Sequence, residues 1–208
     1  MKIMFAIIHF MPYIEFNDTN KGRDTMSEII REDVSVFDYT SEILNALKKG
    51  VLLTTKAEGK VNTMVISWGA LGIEWGRPIF TTYVREHRFT KSLLDKNAEF
   101  TVNIPLGEWD KKRIKRICGT QSGYDIDKIK ETGLTLVDGV KVDVPAIKEL
   151  ALTLECKVIY KRKQDKNLMP SDIIEREYPQ DVPGTYYGSN RDFHTAYYGE
   201  IVKAYILK

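Results

Sequence analysis

The stretch Val51-Leu52-Leu53-Thr54-Thr55-Lys56-Ala57-Glu58-Gly59-Lys60-Val61-Asn62-Thr63-Met64-Val65-Ile66-Ser67-Trp68 sets two runs of β-branched and apolar residues on either side of a Glu-Gly pair. Such a pair supplies the turn of a β-hairpin, so residues 51–56 and 61–68 are predicted to be antiparallel neighbours. A tight hairpin leaves no room for the helical crossover that a parallel sheet requires.

Upstream of the hairpin, Ile43, Leu44 and Leu47 recur at helical spacing between Asp38, a good N-cap, and Gly50, which ends a short amphipathic helix. Downstream, Gly69, Gly72 and Gly76 read as a glycine-rich link, after which Pro78 opens a strand over residues 79–84. Residues 90–96 read as a short helix, and residues 100–104 alternate as a strand that Pro105 stops. The charged segment 108–130 predicts two short helices, with Trp109, Ile114 and Ile117 on one apolar face and breaks at Gly119 and Gly123. Residues 150–160 form the longest predicted strand, with Leu152, Leu154, Cys156 and Val158 on one side, and residues 197–207 make the last. About six strands with short helical insertions and no regular β-α-β alternation predict a mainly β, antiparallel barrel. Residues 161–190, with Pro170, Pro179, Pro183 and three tyrosines, read as a long excursion, either a lid or a partner-contacting arm.

The 31 basic and 29 acidic side chains leave a net charge of only +2, which supplies no broad field for nucleic acid or an acidic membrane. Cys118 and Cys156 are too few for a disulfide framework and form no C-x-x-C pair, which fits a reducing cytoplasm and suggests no metal site. The apolar run at residues 3–11 is far shorter than the ~18–20 residues of a membrane span and lacks a clear cleavage site behind it. Residues 1–25 therefore read as an extension without assignable chemistry, ahead of one working domain over residues 26–208.

Two segments carry candidate chemistry. Along residues 62–68, Asn62, Thr63, Met64, Ser67 and Trp68 put small hydrogen-bonding groups beside an indole, an arrangement suited to a planar heteroaromatic ligand. Along residues 83–92, Tyr83, Arg85, Arg88, Thr90 and Lys91 put guanidinium, ammonium and hydroxyl groups at a strand-to-helix junction, where a phosphate monoester can be held. Neither a P-loop nor a Rossmann glycine fingerprint is present to compete. A flavin mononucleotide, FMN, fits both halves.

The runs at residues 62–69, 72–78 and 84–90, with later ones at 118–128 and 194–201, resemble the flavin-reductase-like FMN-binding split-barrel family, and its flavoredoxin branch most closely. The likeness covers residues 37–207 and implies an antiparallel Greek-key split β-barrel that pairs as a homodimer. It also implies that Asn62, Thr63, Ser67 and Trp68 meet the flavin ring or ribityl chain, and that Arg88, Thr90 and Lys91 hold the phosphate, with Arg85 in reserve. His194 inherits the place of a histidine near the flavin face that nicotinamide approaches, with Tyr197 and Tyr198 narrowing that approach; a solvent-facing histidine at a strand start is the plainer alternative. The implied activity is flavin reduction by NADH or NADPH with electrons passed to an acceptor.

Two rival readings accompany it. A non-enzymatic flavoredoxin-type carrier between redox proteins shares the same motifs. An oligonucleotide-binding barrel using Trp68, Trp75 and Tyr83 as stacking platforms is disfavoured by the near-neutral charge. Cys118 reads as a small buried side chain, and the basic run Lys111, Lys112, Arg113, Lys115 and Arg116 as a solvated helix face.

Overall fold

A computed structural model describes residues 29–182 and 190–208. The expected extension at residues 1–25, and Pro183, Tyr186 and Tyr187 of the excursion, lie outside the described residues. A short strand β1 (Arg31–Asp33) and a 3-10 turn (Val36–Tyr39) lead into helix α1 (Thr40–Lys49). The hairpin β2 (Val51–Ala57) and β3 (Lys60–Ile66) follows, then β4 (Gly69–Glu74), β5 (Arg77–Arg85), helix α2 (Phe89–Leu94) and β6 (Glu99–Ile104). Helices α3 (Lys111–Thr120) and α4 (Lys128–Thr132) and the small pair β7 (Leu136–Val137) and β8 (Ala146–Ile147) form an insertion. The long strands β9 (Leu152–Lys163) and β10 (His194–Leu207) flank the excursion, which holds a 3-10 turn (Lys166–Leu168) and helix α5 (Ser171–Glu177).

The main sheet runs β3-β2-β6-β9-β10-β5-β4, every pair antiparallel, with β1 added on β10. Its two ends, β3 and β4, are separated in sequence only by Ser67 and Trp68. The sheet must therefore curl until its edges face each other, a barrel left unzipped between β3 and β4. Two register shifts between β9 and β10, at Tyr198/Gly199 and Ile201/Lys203, supply local bends of the kind that curvature needs.

Alternation decides what fills the barrel. Leu53, Phe80, Phe100, Val102, Leu154, Cys156 and Tyr197 point inward and pack with Ile43 and Leu47 of α1. The opposite faces of β2 and β3 send Leu52 and Val65 against Ile114 and Cys118 of α3. Cys118 is indeed a buried, unpaired thiol.

Three local expectations change. Gly69, Gly72 and neighbours form a full strand rather than a link, because residues 77–82 of β5 pair with each of them in turn. Asp38 does not cap α1; it sits inside the 3-10 turn, and Tyr39 precedes the helix without a capping bond. Strand β10 starts at His194, three residues before the alternation at Tyr197 suggested.

Candidate functional site

The two chemical segments meet where β3 and the Ser67-Trp68 link face the end of β5 and the start of α2. One cavity, with roughly 450 Å³ of empty space, is lined by Asn62, Met64, Arg88, Thr90, Ser122 and Lys128, among others. A second cleft, with roughly 570 Å³, is lined by Met64, Ser67, Trp68, Tyr83, Arg88 and His194, among others. They share Met64, Val65 and Arg88, so they form one continuous depression.

The first cavity is built for an anion. Arg88 and Lys128 both line it, and among the described residues no carboxylate does. Lys128 is buried, with Nζ donating to the Cys118 carbonyl at 3.0 Å. Burial, helped by the nearby Arg88 cation, lowers its ammonium to about 8. Asn62 Nδ2 donates to Thr90 Oγ1 at 2.8 Å, which ties β3 to α2 beneath the cavity. His87 leaves Nε2 buried without a hydrogen-bond partner among the described residues, while its Nδ1 lies 2.6 Å from Asp192. Gly123 lets its loop close over this floor: a Cβ there would fall 2.3 Å from Asn62 Oδ1 and 2.4 Å from the Phe89 ring.

The second cleft is aromatic. The Trp68 ring lies 4.9 Å from His194 and meets Tyr178 edge-on at 6.4 Å, while the Arg85 guanidinium carbon lies 5.0 Å from the Tyr178 ring centre. His194 is buried, not solvent-facing, and burial together with Arg85 pushes it down to about 3. It is a neutral imidazole at physiological pH.

Of the residues singled out in the sequence, Asn62, Met64, Ser67, Trp68, Tyr83, Arg88, Thr90 and His194 all line this depression. Three do not serve as expected. Thr63 lies on the opposite face of β3, fully buried, accepting from Thr54 Oγ1 and donating to the Leu53 carbonyl. Lys91 lines neither cavity; its ammonium pairs with Asp95 at 2.5 Å and Glu86 at 3.9 Å. Arg85 reaches the cleft wall, but its fork donates to the carbonyls of Asn190, Asp192 and Glu177, so it braces the excursion.

The tyrosines also differ. Tyr197 points into the core and donates to Asp95, so it cannot narrow the cleft. Tyr178, one of the three tyrosines of the excursion, is buried in its own chain against His194 and Phe193. Trp75 belongs to a separate aromatic group with Tyr160 and Tyr198, so it shares no stacking platform with Trp68. Sequence reading missed Lys128, His87 and Ser122. The signal for Lys128 was present in the run 118–128, but a lysine after a helix-capping Asp127 looks solvated until α3 packs over it.

Residues 45–207 match a family model described as the flavin reductase like domain. A protein of Archaeoglobus fulgidus is 33% identical over 124 residues, which span 57% of this chain and 68% of the relative. The flavoredoxin of Methanosarcina acetivorans superposes with a TM-score of 0.53 at 24% identity, over 75% of this chain and 67% of that one. The flavoredoxin of Desulfovibrio vulgaris (Miyazaki F) gives 0.55 at 21% identity, over 76% and 68%. These two structural likenesses establish a shared split-barrel fold.

Proposed function

Because the chain belongs to the flavin reductase like family, we propose that it binds FMN across the two joined cavities, takes a hydride from NADH or NADPH, and passes the electrons to an acceptor. The observation that carries this reading is a cationic cavity, with no carboxylate among the described residues that line it, opening directly onto an aromatic cleft. A polar pocket for a phosphate and a flat apolar wall for a ring are what a mononucleotide needs, in that relative placement.

In this reading Arg88, Lys128 and Thr90 hold the phosphate, with Asn62 fixing the Thr90 hydroxyl. Met64, Ser67, Trp68 and Tyr83 line the ring, and His194 faces the side open to nicotinamide. Bound flavin supplies a two-electron acceptor that can later release electrons singly or in pairs. The protein contributes binding, orientation and a fixed electrostatic environment, so an acid-base triad is not required.

The purified protein should be yellow, with an oxidised-flavin spectrum. Colourless protein that also fails to take up added FMN would exclude the reading. A flavoredoxin-type carrier is the second reading, favoured by the two structural likenesses. Stopped-flow reduction separates them: a reductase reacts rapidly with NADH or NADPH, a carrier rapidly only with a reduced ferredoxin-like donor.

The working unit in this proposal is a homodimer in a reducing cytoplasm. Ile73 and Trp75 stand well exposed, and Trp75, Tyr160 and Tyr198 form a contiguous aromatic row on the sheet surface. An apolar row of this kind suits an isologous contact between two copies.

A further inference from the structure

His194 sits in a hydrogen-bond chain that fixes where its ring proton lies. Its backbone N–H donates to Gln164 Oε1 at 3.1 Å. A backbone N–H can only donate, so the Gln164 amide must present its oxygen there. The Tyr178 hydroxyl donates to the same oxygen at 2.8 Å, which uses its one proton. The Tyr178 oxygen also lies 2.9 Å from His194 Nδ1, and with its proton spent it can only accept. The neutral ring must then carry its proton on Nδ1 and a lone pair on Nε2, the nitrogen on the far edge of a ring that lines the cleft.

Every charged group facing the ring bears on this state. Arg85 and Arg88 oppose a second proton, as does burial against Trp68 and Tyr178. Asp192 favours one; its Oδ2 meets the His87 ring and backbone N–H, and its Oδ1 is buried without a hydrogen-bond partner among the described residues.

We propose that Tyr178 and Gln164 are positioning residues that lock His194 as the Nδ1–H tautomer, so that Nε2 is an obligate hydrogen-bond acceptor selecting a primary carboxamide over a carboxylate. The acceptor calls for a ligand that brings an N–H. The N1, O2, N5 and O4 atoms of an oxidised flavin ring are acceptors themselves and its one ring donor, N3–H, is flanked by O2 and O4, whereas a nicotinamide carboxamide carries an NH2 donor that a carboxylate lacks. A carboxylate in its place would set two acceptors against each other in a desolvated site, the kind of mismatch that buried polar sites reject strongly. The choice of ligand rests on the flavin and nicotinamide reading above; the tautomer does not.

Two measurements test the two parts. Long-range proton–nitrogen NMR of the 15N-labelled full chain, with His194 assigned by its loss in His194→Gln, reads the tautomer without any cofactor. A neutral ring protonated at Nδ1 and unchanged from about pH 5 to 8 is expected; an Nε2–H pattern, or titration near the ordinary value of about 6.5, would overturn the lock. Tyr178→Phe keeps the ring stacked on Phe193 but removes the oxygen, so it should release the tautomer, whereas Gln164→Glu retains the acceptor and should preserve it. Binding of NAD+ and of nicotinic acid adenine dinucleotide, and of the 2′-phosphorylated form of each, then reads selection. Wild type should prefer the amide about tenfold or more, and Tyr178→Phe should lose most of that preference. Equal affinities in wild type would overturn the selection even with the tautomer intact. Binding of none of these dinucleotides would overturn both the selection and the nicotinamide reading, while the NMR spectrum judges the lock by itself.

Discussion

Asn62 Nδ2 donates to Thr90 Oγ1 across 2.8 Å, joining two segments 28 residues apart with both side chains buried. The bond links the strand that lines the aromatic cleft to the helix that floors the anion cavity. Thr90→Val keeps the shape but strands a buried amide donor, at a cost of about 1–3 kcal/mol. Thermal or urea unfolding should show that loss together with weaker FMN binding, and Thr90→Ser should recover most of both. Unchanged stability in Thr90→Val would mean the amide finds another partner.

Arg88 lines both cavities, and its Nη2 donates to Asn190 Oδ1 at 3.2 Å. Arg88→Ala should raise the FMN dissociation constant by roughly 10- to 100-fold, the range expected on losing one charged hydrogen bond. Hydride transfer at saturating flavin should change far less, because a phosphate contact acts on binding. Fluorescence titration and single-turnover reduction measure the two separately; an unchanged affinity would remove Arg88 from the phosphate site.

With Lys128 as a proposed phosphate ligand, flavin binding is expected to depend on pH. Its ammonium is lowered by burial to about 8 from 10.5. Between those values the unfolded chain holds more protons than the folded one, so the stability of the flavin-free protein should rise with pH across that window. A phosphate in the cavity offsets the desolvation and draws the proton back. FMN affinity should therefore fall as pH rises from about 7.5 to 9.5, with proton uptake on binding, and Lys128→Met should flatten the profile and weaken binding at neutral pH. Calorimetry in buffers of different ionisation enthalpy measures the uptake; a flat wild-type profile would exclude Lys128 as a phosphate ligand.

The dimer proposal predicts a particle of twice 23.9 kDa by light scattering. Trp75→Glu combined with Tyr160→Glu places two charges in the exposed aromatic row and should give the monomer mass with a near-native melting profile, since both side chains are largely exposed. A double variant that stays dimeric would move the contact elsewhere.

Much of the barrel was legible because strand formation leaves a short-range signature. The hairpin at Glu58-Gly59 and the alternation of Leu152, Leu154 and Cys156 needed no distant information. The strand Gly69–Glu74 was hidden because its glycines weaken the local preference, and partners on β5 supplied what its own residues lack. The Lys91–Asp95 pair was open to reading, since the two residues lie four apart on one helix face, yet the phosphate assignment took no account of it.

From local pattern alone, then, the sequence determined an antiparallel β protein and two segments whose side chains suit a ring and a phosphate. Only the tertiary structure decided which of those side chains are free to act. Register turned Thr63 into the core and left Met64 on the cleft, because neighbours on a strand face opposite ways. Arg85 was drawn to carbonyls 92 to 107 residues away, and Lys128 was enclosed beneath α3. Hydrogen-bond partners that arrive from so far along the chain leave no mark at local spacing, and burial alters a charge only after the chain has closed around it.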